Sequence, residues 1–66
     1  MIVRLRNPSR TVTLQGSRSV VRLLNELGVT RESVLVVRNG ELVPGDAHLE
    51  DSDEVEIRPV ISGGAL

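Results

Sequence analysis

The stretch Ser-Val-Val-Arg-Leu-Leu-Asn-Glu-Leu-Gly, residues 19–28, decides the fold. Across residues 17–27 the apolar side chains recur at i, i+3, i+4 and i+7, which predicts a helix with one apolar face. Ser17 or Ser19 can cap its start by accepting from an unpaired backbone N–H, and Gly28 stands where a left-handed residue commonly ends a helix. The expected buried face consists of Val20, Val21, Leu23, Leu24 and Leu27. A short, one-sided helix needs a sheet to lie on.

The residues before the helix predict that sheet's first hairpin. Residues 1–6 and 11–15 alternate between apolar and polar side chains, as strands with one buried face do. Residues 7–10, Asn-Pro-Ser-Arg, carry turn chemistry between them. The side chains expected to point inward are Met1, Val3, Leu5, Val12 and Leu14.

A second hairpin is predicted after the helix and a connector at residues 29–33. Residues 34–38 form a β-branched run, and Asn39-Gly40 is the strongest two-residue hairpin signal. Residues 41–43 return as a short strand, which Pro44-Gly45 ends.

The last strand completes a two-layer α+β fold. Residues 46–53 are acidic and irregular, with Leu49 as their expected anchor in the core, and residues 54–58 alternate again with Val55 and Ile57 inward. Pro59 is expected to end the pairing because it has no N–H. A mixed sheet of four to five strands, with one amphipathic helix on one face and the last strand parallel to the first, is a β-grasp arrangement. The element order alone also fits other small α+β folds.

Composition excludes several classes of function. The 66 residues suffice for one domain, contain no Cys, and carry a net charge of −1 with no aromatic residue. A nucleic-acid surface would need a basic balance and aromatic stacking platforms. Neither a membrane-spanning run nor a signal-peptide pattern is present. We therefore expect a monomeric, cytoplasmic protein without nucleic-acid or membrane partners.

Catalytic and metal sites find little support in the sequence. His48 is the only histidine, and it stands in a loop near Asp46, Glu50 and Asp51, so a solvated loop is a better interpretation than a metal site. The carboxylates at residues 50–54 are more typical of a turn before a strand than of a catalytic pair, which would need a cleft. No catalytic residue and no metal ligand is predicted.

The C-terminal stretch Val-Ile-Ser-Gly-Gly-Ala-Leu, residues 60–66, reads as a tail rather than as part of the body. Residues 1–60 are expected to form the domain, and residues 61–66 a flexible tail that carries the diglycine. Two consecutive glycines leave the backbone thin and free to enter a narrow channel where any Cβ would clash. The alternative is a frayed end without function.

Three stretches together resemble the ubiquitin-like sulfur carriers, the family that includes the thiamine-pathway carrier ThiS and the molybdopterin-synthase small subunit MoaD. They are SVVRLLNELG at 19–28, VRNGELVP at 37–44 and LEDSDEVEIRPVISGG at 49–64. A lone diglycine is weak evidence, whereas an acidic loop, a strand and Pro-Val-Ile-Ser before it form a specific combination. The short chain is more similar to the thiamine-type carriers, and also to small prokaryotic carriers that double as protein modifiers.

The resemblance implies a carrier, not an enzyme, with Gly64 as the reacting residue. A ubiquitin-activating-type adenylating enzyme would join the Gly64 carboxylate to AMP, using ATP and magnesium that belong to that enzyme, so this chain would bind no cofactor. Sulfide or a persulfide from a sulfur donor would displace AMP, and the thiocarboxylate would serve an acceptor enzyme. Gly63 and Gly64 would lie extended in the enzyme's channel, and Val60, Ile61 and Ser62 would be recognised with them.

Ala65 and Leu66 depart from the family pattern, because a Gly64 carbonyl held in an amide cannot be adenylated. A JAMM-type metalloprotease could cut between Gly64 and Ala65, as in family members made as precursors. The two residues could instead be a cloning remnant, or the tail could be unused in a domain that serves as a binding module.

Two features bear on partners. The outer face of the sheet is expected to hold Arg4, Arg6, Val36, Arg38, Glu56 and Arg58, and its four arginines form a candidate docking patch, with an ordinary solvated face as the alternative. All eight basic residues are arginine, which GC-rich codon usage could explain; the alternative is that no side-chain amine is left to accept the chain's own activated acyl group. The absence of lysine also suits the second hypothesis, a ubiquitin-like modifier joined through Gly64 to lysines of other proteins.

Overall fold

The computed structural model describes residues 1–6 and 9–60. The predicted turn residues Asn7 and Pro8 and the tail at 61–66 lie outside the described residues. The elements are β1 Ile2–Leu5, β2 Arg10–Thr13, β3 Arg18–Ser19, α1 Val20–Leu27, a 3-10 helix Arg31–Ser33, β4 Val34–Arg38, β5 Glu41–Val43, β6 His48–Leu49 and β7 Glu54–Pro59.

Five of these strands form one mixed sheet in the order β2-β1-β7-β4-β5. The last strand, β7, lies in the centre, parallel to β1 and antiparallel to β4. Helix α1 covers one face through its buried residues Val20, Leu23 and Leu24. The predicted β-grasp arrangement is therefore confirmed, with β2 and β5 as the two edge strands.

The core lies between α1 and the face of the sheet that α1 covers. Its buried members are Met1, Val3, Val20, Leu23, Leu24, Val36, Leu49, Val55 and Ile57. The inward positions predicted for the first hairpin and the last strand are confirmed, as is the anchor role of Leu49, which is fully buried. Val21 was assigned wrongly to the buried face: it is 40% exposed. Val21 lies at the edge of the apolar face of the helix, outside the part that the sheet covers.

The helix begins at Val20, so the second of the two predicted caps, Ser19, is confirmed and Ser17 lies outside the helix. Ser19 is its N-cap, and its Oγ accepts from the N–H of Arg22 at 3.1 Å. Arg18 and Ser19 instead pair as β3 with β6, in the segment that was expected to be irregular. The expectation of an irregular segment was wrong, because β3 and β6 are each only two residues long and are far apart in the sequence, so no local pattern indicates their pairing. At the other end Gly28 has φ of 71°, the predicted left-handed C-terminus.

The second hairpin turns at Asn39 and Gly40, whose φ angles of 50° and 87° confirm the predicted two-residue turn. Pro59 does not end the pairing, contrary to expectation, because it still lies opposite Val34. Successive N–H groups of a strand point to opposite sides, and the N–H of the next residue, Val60, points to the β4 side. The N–H missing at Pro59 would thus face the β1 side, where the described pairing of β1 with β7 ends at Leu5 opposite Ile57, so the described ladder loses no bond.

Candidate functional site

The described part of the chain ends at Val60, just beyond the central strand of the sheet. Beyond Pro59 the N–H of Val60 donates to the carbonyl of Ser33 at 2.9 Å, so the last described residue is still tied to the segment before β4. The Val60 side chain is 43% exposed. The remaining predicted tail sites, namely Ile61, Ser62, Gly63, Gly64 and Ala65, lie outside the described residues.

The outer face, defined as the sheet face opposite α1, carries a charged ladder along β1 and β7. Parallel pairing places Arg4 directly beside Glu56. The Nη1 of Arg4 lies 3.5 Å from Glu54 Oε1, and Glu56 Oε2 lies 3.4 Å from Arg6 Nε and 3.0 Å from Arg58 Nε. The hydrogen bond from Arg58 lowers the pKa of Glu56, and the same bond raises the pKa of Arg58. Three predicted docking arginines are thus already engaged with carboxylates of this chain.

Two residues assigned to the outer face belong to the other side. Val36 is only 5% exposed and lies opposite Ile57 in the core. Arg38 shares that side by strand alternation, since it lies opposite the buried Val55, and its Nη1 donates to the carbonyl of His48 at 3.0 Å. The assignment was one residue out of phase, because Val-Leu-Val-Val contains no polar residue that fixes which positions face inward.

The correct phase brings apolar side chains to the outer face, which the sequence reasoning missed. Leu35 on β4 is 44% exposed and Leu42 on β5 is 65% exposed. Val37 lies directly opposite Leu42 and is half-buried beside it. With Val60 at the root of the tail, these three residues form what we call the apolar strip. The charged residues of β7 could have indicated which residues of β4 face outward. Residues paired across adjacent strands point to the same face of the sheet, and Leu35 and Val37 pair with Arg58 and Glu56.

A broad groove of about 490 Å³ joins the charged ladder to the apolar strip. It is lined on one side by Arg4, Glu54, Glu56 and Arg58, and on the other by Val37 and Leu42. The outer face therefore offers both an apolar contact area and fixed charges next to the strand that becomes the tail. Such a combination is typical of a protein-binding surface, not of an enclosed catalytic pocket.

The acidic segment before β7 holds the second hairpin to the start of β7 through hydrogen bonds. Buried Asp53 accepts hydrogen bonds from the N–H of Glu50 at 2.8 Å and from Asn39 Nδ2 at 3.0 Å, while Asn39 Oδ1 accepts from the N–H of Glu54 at 2.9 Å. These bonds join the turn of the second hairpin to the start of β7. The bond from the Glu50 N–H, followed by that from Asn39, lowers the pKa of Asp53. This confirms a turn before a strand.

Asp51 ties the end of the first hairpin region to the same segment. Its Oδ1 accepts from the N–H of Gly16 at 2.6 Å and lies 3.7 Å from the α-amine of Met1. The Gly16 bond, and then the charge of the amine, lowers the pKa of Asp51. The Asp51 carboxylate thus joins Gly16 and the N-terminus to the segment before β7.

His48 is exposed, and its Nε2 lies 3.8 Å from Glu50 Oε2. In residues 1–6 and 9–60, no group of three or more His, Asp or Glu residues is arranged to hold a metal ion. Among the helices of this described part, none is long and apolar enough to cross a membrane.

The family can be decided by comparison with known proteins. The ThiS family model matches residues 3–64, nearly the whole chain. The chain belongs to the ThiS family. It is 38% identical over 65 residues to the sulfur carrier protein TtuB of Thermus thermophilus, which covers 97% of this chain and 100% of TtuB.

Solved structures of the same family agree with the fold. The crystal structure of the thiamine biosynthesis protein ThiS from Geobacter metallireducens superimposes with a TM-score of 0.63 at 33% identity, covering 97% of this chain and 100% of that one. The solution structure of a thiamine biosynthesis protein from the same organism gives 0.59 at 31% identity, covering 100% and 91%. This ThiS-family chain therefore shares its β-grasp fold with those proteins.

Proposed function

We propose that this chain is a sulfur carrier that is activated and loaded at Gly64. The observation that carries the proposal is the family match, which runs through the diglycine and ends at Gly64, just before Ala65. The name of the Thermus relative, sulfur carrier protein, supports the same role. The tail follows the central strand in the sequence, so a partner bound to the sheet beside this strand would also contact Val60, the residue before the tail.

The proposed chemistry begins with exposure of the carboxylate. Hydrolysis of the Gly64–Ala65 peptide bond, by a metalloprotease of the JAMM type, consumes one water and releases Ala-Leu. The freed Gly64 carboxylate attacks the α-phosphorus of ATP on a separate adenylating enzyme, and pyrophosphate leaves. Sulfide then attacks the acyl carbon and expels AMP, which leaves a thiocarboxylate. When a protein persulfide attacks instead, a thiol must cleave the resulting acyl disulfide before the thiocarboxylate is free.

The body of the domain takes no chemical part in these steps. Its proposed contribution is to present the outer face to the adenylating enzyme, with the apolar strip as the contact area. Continuity supports this assignment, because Val60 of the strip is the residue directly before the tail. The magnesium and nucleotide are expected on the partner, and the carrier's place of work is expected to be the cytoplasm.

The experiment compares two forms of the chain that differ only at the end, one ending at Gly64 and one at Leu66. Each is incubated with the adenylating enzyme of the same host, ATP and magnesium, and pyrophosphate exchange is followed. We expect exchange with the Gly64 form alone, since only that form has a free glycine carboxylate. Equal exchange with the Leu66 form would contradict the need for processing, and no exchange with either would sink the carrier proposal.

Intact mass spectrometry on protein isolated from the native host is the second readout. A species ending at Gly64, with sulfur in place of one oxygen, is expected. Conjugates joined through an isopeptide bond to lysines of other proteins, without any thiocarboxylate, would favour the modifier hypothesis instead. A species that always ends at Leu66, with no conjugates, would mean that the tail is not used.

A further inference from the structure

The eight arginines of the chain divide into two groups by their contacts. Six bind a carboxylate or a carbonyl of the domain, and these are Arg4, Arg6, Arg18, Arg22, Arg38 and Arg58. The side chains of the other two, Arg10 and Arg31, make neither an ion pair nor a hydrogen bond with any residue that the structure describes, and both residues are exposed. These two cations are therefore available to a partner.

Both unengaged arginines lie at one end of the sheet, which we call the exit end because β7 finishes there. Arg10 opens β2 and lies opposite Leu5 at the end of β1. Arg31 lies in the 3-10 helix that leads into β4, whose first residue pairs with Pro59. The strand order places β1 and β2 on one side of β7 and β4 on the other. Arg10 and Arg31 thus flank the strand from which the tail departs.

The two side chains lie on different surfaces. Arg10, together with Arg6, lines a groove of about 210 Å³ whose other walls are apolar, formed by Leu5, Val29, Val34, Ile57 and Pro59. The Arg31 guanidinium lies over Gly45, where an added Cβ would clash with its Nε, Cζ and Nη2 atoms. Glycine at this position leaves the space that the guanidinium occupies. For Arg10, apolar walls support the stem while the charged head stays in water.

Acidic residues gather at the opposite end of the sheet. There the start of β7, the second hairpin and the preceding loop bring together Glu41, Glu50, Asp51, Asp53 and Glu54. The exit end also carries Glu32, next to Arg31 in the 3-10 helix, and the opposite end also carries Arg38, so the two ends differ in the balance of charge and not in having one sign each. A charge distribution of this kind orients a molecule as it approaches a charged partner.

We infer that Arg10 and Arg31 form a cationic collar that guides the tail, exit end first, into a partner whose channel mouth is lined with carboxylates. The inference rests on the proposed function, because the partner in question is the adenylating enzyme. Arginine suits the task in two ways. Its planar guanidinium can bind a carboxylate through two parallel hydrogen bonds, and it brings no amine close to an activated Gly64 carbonyl.

The test measures the association rate constant between the Gly64 form and the adenylating enzyme of the same host, without ATP, at low and high salt. The double variant Arg10→Gln with Arg31→Gln should associate about 3- to 10-fold more slowly at low ionic strength. The difference should vanish near 0.5 M salt, because the screening length falls to a few ångströms. Unchanged thermal unfolding of the variant verifies that the fold is intact.

Two matched controls separate the collar from net charge. Arg22→Glu changes the net charge by the same amount as the double variant but lies on the exposed side of α1, so it should associate like the wild type. Arg10→Lys with Arg31→Lys keeps the positive charge and should retain most of the rate. A Gln variant with the wild-type rate and salt slope would overturn the collar, as would an equal loss in Arg22→Glu.

The failure of the collar and the failure of the proposed function give different results. If the wild-type Gly64 form supports pyrophosphate exchange and the Gln variant associates normally, only the collar is wrong. If the wild-type form is neither bound nor adenylated, the carrier proposal is wrong and the collar fails with it.

Discussion

Leu35 and Val36 are neighbours on β4, yet one is 44% exposed and the other 5%. The difference separates the two faces of the same sheet. The inner face packs against α1 and closes the core, while the outer face keeps apolar side chains in water beside a ladder of charges. Exposed leucines on a short sheet contribute little to stability, and we propose the outer face as the surface that a partner contacts. The residues that stabilise the core and those of the proposed partner contact thus lie on opposite faces of the same strands.

The sharpest test of the inner face is Leu24→Ala. Leu24 is almost fully buried on α1, so removing its side chain should lower the free energy of unfolding by about 2–5 kcal/mol. Urea unfolding followed by circular dichroism measures the loss. The control is Val21→Ala on the same helix, which should cost far less because Val21 is exposed. A loss under about 1 kcal/mol for Leu24→Ala would mean that α1 does not seal this face.

In the segment before β7, Asp53→Ala should lower the free energy of unfolding by about 1–3 kcal/mol, because it leaves the N–H of Glu50 and the amide of Asn39 without their acceptor. The same unfolding assay applies, with Asp46→Ala as the control, since the Asp46 side chain accepts no hydrogen bond in the described part of the chain. Adenylation of the Gly64 form should be unaffected at temperatures where the variant is folded. If both variants were equally stable, the hydrogen bonds of Asp53 would contribute nothing to the free energy of unfolding.

The pH dependence of stability follows from the same carboxylates. Folding lowers the pKa of Asp51, Asp53 and Glu56. Their stabilisation is therefore complete above the unfolded-state pKa, near 4, and is lost as the pH falls through the lower folded-state values. We expect the melting temperature to be steady near neutral pH and to drop below about pH 4. Asp53→Ala should show a smaller drop; an identical acid profile would exclude Asp53 as a contributor.

The smallest effect on stability is expected on the outer face. Leu42→Ser should change the free energy of unfolding by no more than about 0.5 kcal/mol, because the side chain is 65% exposed. Its effect should instead be seen as weaker capture of the Gly64 form by the adenylating enzyme in a titration. Val21→Ser is the matched control, since it removes an exposed apolar side chain from the opposite side of the domain. Equal affinity of the two variants would refute the apolar strip as the contact area.

Most of the fold could be predicted because its signals are local. The spacing of Leu23 and Leu24, the left-handed Gly28 and the Asn39-Gly40 turn each depend on a few neighbouring residues, and all three were confirmed. The errors fell where the deciding contact is distant. The pairing of Arg18 and Ser19 with β6 shortened the helix, and the pairing of β4 with β7 fixed which of its apolar residues face inward.

The candidate site divides in the same way. The order of residues along the chain determined that the diglycine follows the last strand and that no lysine accompanies it, since both are properties of the sequence alone. Only the tertiary structure decided that β7 is central, that Leu35, Val37 and Leu42 share the outer face with Val60, and that Arg10 and Arg31 flank the exit. Which side chains meet across a sheet depends on strand order and register, and hydrogen bonds between segments far apart in the sequence set both.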